Sequence, residues 1–442
     1  MAQETINIGL IGFGTIGSGV VKRLLKPADI EKKTGKKIVL KKIVDKKLGV
    51  KRKVKVPKSM LTKNVNDVLN DPEIDIFIEL IGGYKPAYDH IKKALQKGKN
   101  VITANKAVMD KYGAELCKIA EKNNVFLMFG ASVGGGIPII DSITDSLAGN
   151  DTEIIYGILN GTTNFILTKM EQGMEYDQAL KLAQKLGFAE KDPTFDVEGL
   201  DAAQKLAIIS SIAFNTNIKS KQIFTQGITK VSKKDLDFVK KLGYKIKLIG
   251  VAKKPKLSRA QLGPISAERK FGKGNVLELR VQPTLIPDTH PLAAINNEVN
   301  AVYFGGDGNI TLSGEGAGSA PTAGAVISDI ISIGKRIKCK YKAKKYFGNS
   351  AVKIRNIEQV ETPFYLRFTS MDKPGTLAEL TDVLAKSKVN IKEVLQPSKN
   401  GKTTAPLAII TDMTDMKTLK KAISKLKKSK KNKIEIIMPI EE

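Results

Sequence analysis

Residues 6–20, "INIGLIGFGTIGSGV", decide the fold. The first half reads as a strand, and Gly12, Gly14 and Gly17 follow it directly in the pattern G-x-G-x-x-G, where a helix begins. Glycines so spaced let the chain turn tightly and let a pyrophosphate approach main-chain N–H groups at a helix N-terminus. The turn as a whole, Gly12, Phe13, Gly14, Thr15, Ile16 and Gly17, is therefore expected to hold a dinucleotide; the alternative is a tight turn with no ligand. The next strand ends "KKIVDKK", so Asp45 is the natural partner of a ribose 2′-hydroxyl, as NAD requires. Its distance from the turn exceeds the usual ~20 residues because "PADIEKKTGKK" intervenes. Lys46, Lys47 and Arg52 stand ready to neutralise a 2′-phosphate instead, so both NAD and NADP fit.

Outward from this turn, "KIVLKKIVD", "DIFIELIG", "NVITANK" and "VFLMFG" alternate with amphipathic stretches such as "AYDHIKKALQKG". The alternation predicts right-handed βαβ units and a mostly parallel sheet. The 442 residues exceed one core, and three units are expected. These are an α/β, Rossmann-type nucleotide-binding unit over 1–133 with a return segment about 303–345, and an α+β unit for substrate and dimerisation over 134–302. A basic connector "KCKYKAKK" leads to a unit over 360–442 whose strand, helix, strand, strand, helix, strand order is ferredoxin-like.

The net charge of +28 raises the question of nucleic acid. Only eight of the 73 basic residues are arginine, and the lysines are scattered instead of focused. A nucleic-acid reader favours Arg forks and a patch, so a lysine-rich solvated surface is expected, with no nucleic-acid partner. The rival is a basic metabolite-sensing regulator. "KKAISKLKKSKKNK" carries Ala422, Ile423 and Leu426 at helical spacing, the inner face of an amphipathic helix. No apolar run approaches the roughly 18 residues of a membrane span, so a cytoplasmic chain without a membrane partner is expected. Cys117 and Cys339 match no metal or redox spacing and are expected to be reduced thiols.

The second stretch of interest is residues 187–205, "GFAEKDPTFDVEGLDAAQK". Asp196 or a neighbour is placed to cap a helix running through "DVEGLDAAQKLAIISSIAF". On that helix Asp201 and Lys205 are four apart and share a face. One reading is a surface ion pair. The other follows from Ala202, Ala203, Leu206 and Ala207, which make the helix largely buried; a lysine in such a setting needs a carboxylate and is a candidate proton donor or acceptor.

The order Ala183, Gly187, Phe188, Asp192-Pro193, Asp196, Gly199, Asp201, Lys205 resembles the signature of homoserine dehydrogenases. "GFGTIGSGV", "VITANKA", "GILNGTTNFILTKM", "HPLAAINNEVNAV" and "GEGAGSAPTAGAVISDI" resemble further blocks of that family. "FTSMDKPGTLAELTDVLAKSKVNIKEV" resembles an ACT domain. The resemblance implies reversible NAD(P)H-dependent reduction of L-aspartate 4-semialdehyde to L-homoserine. It assigns Lys205 the proton transfer, Asp201 the orientation of substrate and Lys205, Glu190 and Asp196 the substrate's ammonium, and Lys106 a place by substrate and nicotinamide. Thr103, Gly187 and Gly318 would approach the cofactor. "NGTTN", residues 160–164 with Thr162, would shape the substrate pocket, a polar helix cap being the alternative.

"FGASVGGGIP" looks like a segment that holds a monovalent cation, sodium, through main-chain carbonyls of Val133, Gly135 and Ile137. A Glu is usual in the family where this chain has Gly130, whose carbonyl is then the remaining donor. In "DKPGTLAEL", Asp372 and Gly375 would meet a small-molecule effector, threonine as feedback inhibitor; a dimerisation module without effector is the alternative. Family members commonly form dimers, so a homodimer or homotetramer is implied.

Overall fold

The computed structural model describes residues 4–50, 52, 54–255, 276–337, 346–396, 403–426 and 431–441. The first sheet contains β1 (Thr5–Ile11), β2 (Lys37–Val44), β3 (Leu61–Thr62), β4 (Ile76–Glu79), β5 (Asn100–Thr103) and β6 (Leu127–Met128), ordered β3-β2-β1-β4-β5-β6. Every neighbouring pair is parallel. Helices cover a parallel sheet on both faces, which is why its central strands are continuous apolar runs: β4 and the middle of β1 are buried. The strand order reverses between β1 and β4, and in such sheets ligands bind beyond the carboxyl ends at that point.

The second sheet is mixed. It holds β7 (Thr152–Ile158), β8 (Phe224–Thr225), β9 (Tyr244–Lys253), β10 (Val276–Pro287), β11 (Val299–Gly306), β12 (Ile310–Glu315) and β13 (Lys353–Ile354). The order is β12-β11-β7-β9-β10-β13, with β8 beside β10. Helices Gly161–Glu171, Leu200–Ala213 and Lys233–Lys241 pack against β9.

The expected return segment about 303–345 is divided by the structure. Residues 303–306 and 310–315 are strands of the second sheet, because β11 pairs β7 on one side and β12 on the other and leaves no free edge between them. The return is made by the helix Ser319–Arg336, and past the connector Tyr346 donates to Met128 Sδ in β6 at 3.1 Å. It lies on the helix Thr15–Leu24, with Ser319 Oγ donating to the Thr15 carbonyl at 2.9 Å. A side chain at Gly19 would meet Ser319 and Ala323 at about 3 Å, so this glycine permits the close approach. The connector at 338–345, and Cys339 with it, lies outside the described residues.

After the short pair β14 (Glu361–Thr362) and β18 (Thr414–Asp415), the last sheet has β15 (Phe364–Met371), β16 (Ile391–Leu395), β17 (Thr404–Thr411) and β19 (Asn432–Pro439). Its order β16-β17-β15-β19 is antiparallel throughout. With helices Thr376–Lys386 and Met416–Leu426 this is the expected βαββαβ arrangement. Ala422, Ile423 and Leu426 are buried, as their spacing requires.

Strand alternation splits β15 between two environments. Phe364, Leu366 and Phe368 face the unit's own helices, whereas Tyr365 joins the main core with Ala408, Ile410 and Met438. Among the described residues no helix is long and apolar enough to cross a membrane.

Candidate functional site

The glycine turn is built as its three positions require. Gly12 has φ 99°, and a Cβ there would stand 2.6 Å from the Leu80 carbonyl carbon and oxygen. Gly17 packs against the Gly12 carbonyl so closely that a Cβ would collide with it. Gly14, the N-cap of helix Thr15–Leu24, has no protein atom within 4 Å of where a Cβ would stand. That open cradle before free helical N–H groups fits a pyrophosphate.

Asp45 Oδ2 accepts from the Phe13 main-chain N–H at 2.7 Å, and Arg52 Nε donates to the Phe13 carbonyl at 2.7 Å. Arg52 also pairs with Asp45 at 3.2 Å and lies over the Phe13 ring, 4.6 Å from its centroid. Asp45 and Arg52 therefore stand together at the turn.

A cleft of about 630 Å³ opens between the parallel sheet's carboxyl end and the second sheet, a volume typical of small-molecule sites. Ile16, Ala104 and Lys106 line it from the nucleotide side; Asn160, Thr162, Asp196, Asp201 and Lys205 line it from the other, with Gly187 and Gly318 between. Both glycines are left-handed or beyond, φ 81° and 110°, where each ends or opens a helix.

Lys205 is nearly buried, and its ammonium donates to Asp201 Oδ2 at 2.7 Å and to the Leu159 carbonyl at 2.7 Å. Lys106 Nζ lies 3.2 Å from Asp201 Oδ1. Burial alone would push the Asp201 carboxyl up; the two ammoniums and the hydrogen bonds from Lys205 and Asn160 outweigh it and hold the group down at about 2. Of the two readings of this pair, the buried one is observed.

Asn160 does two jobs at once. Its Oδ1 accepts from Thr163 N at 2.9 Å and caps the helix Gly161–Glu171. Its Nδ2 donates to Asp196 Oδ1 at 2.8 Å and to Asp201 Oδ2 at 2.9 Å, as the two hydrogens of one amide allow. Thr162 Oγ1 lies 3.1 Å from Asp196 Oδ2 and 2.7 Å from the Phe188 carbonyl. Burial and the Asp201 charge raise the Asp196 carboxyl above its ordinary value against these hydrogen bonds.

One expectation is corrected, and two further residues lie outside the lining of the cleft. Asp196 does not cap the long helix: a short turn, Thr194–Val197, precedes it, Gly199 at φ 81° breaks the run, and the helix starts at Leu200. Thr103 is buried with its hydroxyl donating to Glu79 Oε2 at 2.6 Å, so it faces the strand and its neighbour Ala104 lines the cleft. Glu190 is exposed and does not line the cleft, its carbonyl accepting from Gln184 Nε2 at 3.1 Å; the loop after Gly187 turns its side chain to solvent.

Glu79 is one of the residues that escaped the sequence reading. Glu79, fully buried, accepts from the N–H groups of Ile81 and Gly82 at 2.8 and 3.2 Å and fixes the loop against which Gly12 packs. An acid inside the apolar run "DIFIELIG" was its signal.

Val133 is buried beyond the short helical turn Gly130–Ser132, Gly135 (φ 55°) packs on the Gly316 carbonyl, and Ile137 O accepts from Ile139 N at 2.8 Å. A Cβ at Gly130 would stand 3.2 Å from Asp329 Oδ1, so a carboxylate from the return helix occupies the place beside position 130. Gly375, φ 83°, is the N-cap of helix Thr376–Lys386, and Asp372 N donates to the Thr403 carbonyl at 2.9 Å. A separate cavity of about 540 Å³ lies past that helix's other end, at Ser387 and Lys388, and neither Asp372 nor Gly375 lines it.

Comparison with known proteins agrees with this geometry. The family model "Homoserine dehydrogenase" matches residues 138–331, and "Homoserine dehydrogenase, NAD binding domain" matches residues 12–129. The homoserine dehydrogenase of Bacillus subtilis is 39% identical over 92% of both chains, and that of Neisseria gonorrhoeae 37% identical over 92% of both. The crystal structure of the Thiobacillus denitrificans homoserine dehydrogenase superimposes with a TM-score of 0.87 at 35% identity, covering 100% of this chain and 99% of that one. The nucleotide cradle, the paired carboxylate and lysines in the cleft, and identity sustained along nearly the whole length point one way: the chain belongs to the homoserine dehydrogenase family.

Proposed function

We propose that the chain reduces L-aspartate 4-semialdehyde reversibly to L-homoserine in the cytoplasm, on the route to threonine, methionine and isoleucine, with Lys205 exchanging the proton. The observation that carries this reading is the engagement of Lys205. An ammonium has three donors; two meet Asp201 and Leu159, and the third is left for the cleft. A bound nicotinamide supplies the hydride. As negative charge builds on the aldehyde oxygen, the Lys205 ammonium stabilises it and delivers the proton; in the reverse direction the neutral amine takes the proton from the hydroxyl. Asp201 orients Lys205, Asp196 receives the substrate's α-ammonium, Thr162 shapes the pocket, and Lys106 adds positive charge beside the reacting centre. Gly12, Gly14, Gly17, Gly187 and Gly318 give the cofactor its close approaches.

Asp45 would accept a ribose 2′-hydroxyl and Arg52 would pair with a 2′-phosphate, so both NAD and NADP serve. Homoserine oxidation measured with NAD⁺ and NADP⁺ side by side tests reaction and cofactor together. Wild-type turnover with at least one is expected, and Lys205→Ala is expected to lower kcat by roughly 10²–10⁴ with cofactor affinity nearly retained. A wild-type enzyme inert toward homoserine, or a variant with near-normal turnover, refutes the assignment.

The chain works as three units: 1–133 with the return helix, 134–302 extended by β11 and β12, and 360–442 as an ACT module, assembled as a homodimer or homotetramer. Sodium sits at the carbonyls of Gly130, Val133, Gly135 and Ile137, with Asp329 supplying the charge that Gly130 lacks. L-Threonine binds the C-terminal module at the turn of Asp372 and Gly375 and inhibits. Supporting this are three buried side chains with atoms that have no hydrogen-bond partner, Ser370, Thr376 and Asn432. Ser370 and Asn432 are directly paired across β15 and β19, and Thr376 opens the adjoining helix.

A further inference from the structure

The Leu159 carbonyl that holds Lys205 has a second donor. Asn300 Nδ2 reaches it at 3.0 Å. Leu159 immediately follows β7, and Asn300 sits on the neighbouring β11, where Ala301 pairs with Ile158 and Asn300 itself with Gly314. The side chain is 2% exposed yet forms part of the cleft wall. A side chain at Gly316 would collide with its amide, and one at Gly161 would stand 3.4 Å from its Oδ1, so two glycines leave just the room the amide occupies. The orientation of that amide follows from its partner: turned over, it would set Oδ1 against the Leu159 oxygen, two acceptors face to face. Asn300 Oδ1 has no hydrogen-bond partner. A buried acceptor left unmade is costly, and here the cost accompanies keeping Nδ2 on Leu159.

We infer that Asn300 is a positioning residue for the proton exchange: it pins the Leu159 carbonyl, and that carbonyl with Asp201 aims the third N–H of Lys205 into the cleft. A carbonyl oxygen has two lone pairs, one taken by the amide and one by the ammonium. With both filled, the Lys205 nitrogen is held on two sides. Without Asn300 the carbonyl is free to tilt about the end of β7, and Lys205 follows it. The amide also draws on the carbonyl's electron density, so its loss makes that oxygen a stronger partner for the charged form of Lys205.

The inference rests on the proton-exchange role proposed above, and the test separates the two. Homoserine oxidation by the full-length enzyme is followed across pH for wild type, Asn300→Ala and Asn300→Asp. An inert wild type defeats the parent reading before any variant is made. With wild type active, both variants are expected to lose kcat by about 10- to 100-fold, with KM for homoserine and cofactor affinity changed far less. The basic shift of the rising limb of kcat against pH is the deciding measurement. The limb moves to higher pH in Asn300→Ala and further in Asn300→Asp, whose carboxylate adds a negative charge beside the Leu159 carbonyl. If Asn300→Ala does not fold, the nearly isosteric Asp variant decides alone. A kcat and a limb that stay at wild-type values, with or without a fall in melting temperature, overturn the proposal and reduce Asn300 to a packing residue.

Discussion

At the scale of single residues, the site is a set of charges held far from their ordinary hydration. Asp201 is 4% exposed and faces two lysines. Burial disfavours its charged form, and its carboxyl nonetheless sits low, at about 2, because the lysines and the Asn160 amide do more than burial undoes. The sign of the consequence follows. A carboxyl lowered in the folded state contributes stability that is fully present above the unfolded value near 3.8 and is lost as pH falls through about 2. Asp201→Asn leaves Lys205 buried beside a neutral amide and is expected to cost about 3–5 kcal/mol near neutrality. Urea unfolding repeated from pH 6 down to pH 2.5 should show the gap between wild type and variant closing over the acidic end; a gap constant with pH contradicts the account. Lys247 shows the opposite case: fully buried with carbonyl and amide oxygens around its ammonium, its amine is lowered to about 8 by burial. No spacing in the sequence marks Lys247 or Asn300, since what makes each unusual is the neighbour folded against it; Glu79 shows only as an acid inside an apolar run.

At the scale of elements, the glycine turn was legible because its chemistry is local. Strand, turn and helix are consecutive, and Gly17 packs on the Gly12 carbonyl within the same βα unit. Gly12 and Gly14 nevertheless differ in what they do. Gly12 has positive φ and abuts Leu80, whereas Gly14 faces open space. Gly12→Ala is therefore expected to lower stability by about 1–3 kcal/mol and to weaken cofactor binding. Gly14→Ala should melt like wild type and lose cofactor affinity alone. Thermal melts paired with a fluorescence titration of NADPH separate the two, and a Gly14→Ala protein that binds normally would falsify the cradle. The helix carrying Lys205 was also legible in its pairing, but its start was not: "DVEGLDAAQK" carries a continuous helical pattern, and the left-handed Gly199 (φ 81°) breaks it, at a place where a Cβ would stand 3.1 and 3.2 Å from Thr225 and Val281 on β8 and β10. Asp196, freed from capping, turns to Asn160 instead.

At the scale of the whole molecule, two buried polar contacts tie the C-terminal sheet to the second sheet. Asp235, fully buried, closes the cap of its helix with Ser232 and accepts from Arg367 and Tyr365 on β15. Glu441, beyond β19, joins Arg280, Lys253 and the Tyr156 hydroxyl. Breaking such a pair strands a charge, so Asp235→Ala is expected to cost about 3–5 kcal/mol and to expose residues 360–442 to limited proteolysis. Homoserine oxidation should stay within about threefold of wild type, since Asp235 touches nothing in the cleft. Unchanged melting and an unchanged digestion pattern would count against the tie. The sequence by itself determined the parallel sheet, the dinucleotide turn, the βαββαβ end and the Asp201–Lys205 pair, because periodicity, glycine spacing and i,i+4 neighbours act within a few residues. Only the tertiary structure decided that β11 and β12 belong to the second sheet, that Thr103 and Glu190 do not line the cleft, that Asn160 reaches Asp196 and Asp201, and that Asn300 reaches the Leu159 carbonyl. Those facts depend on segments separated in sequence meeting in space, β7 with β11 across more than a hundred residues and Thr103 with Glu79 across 24, and no local pattern encodes which side chain the neighbouring segment will present.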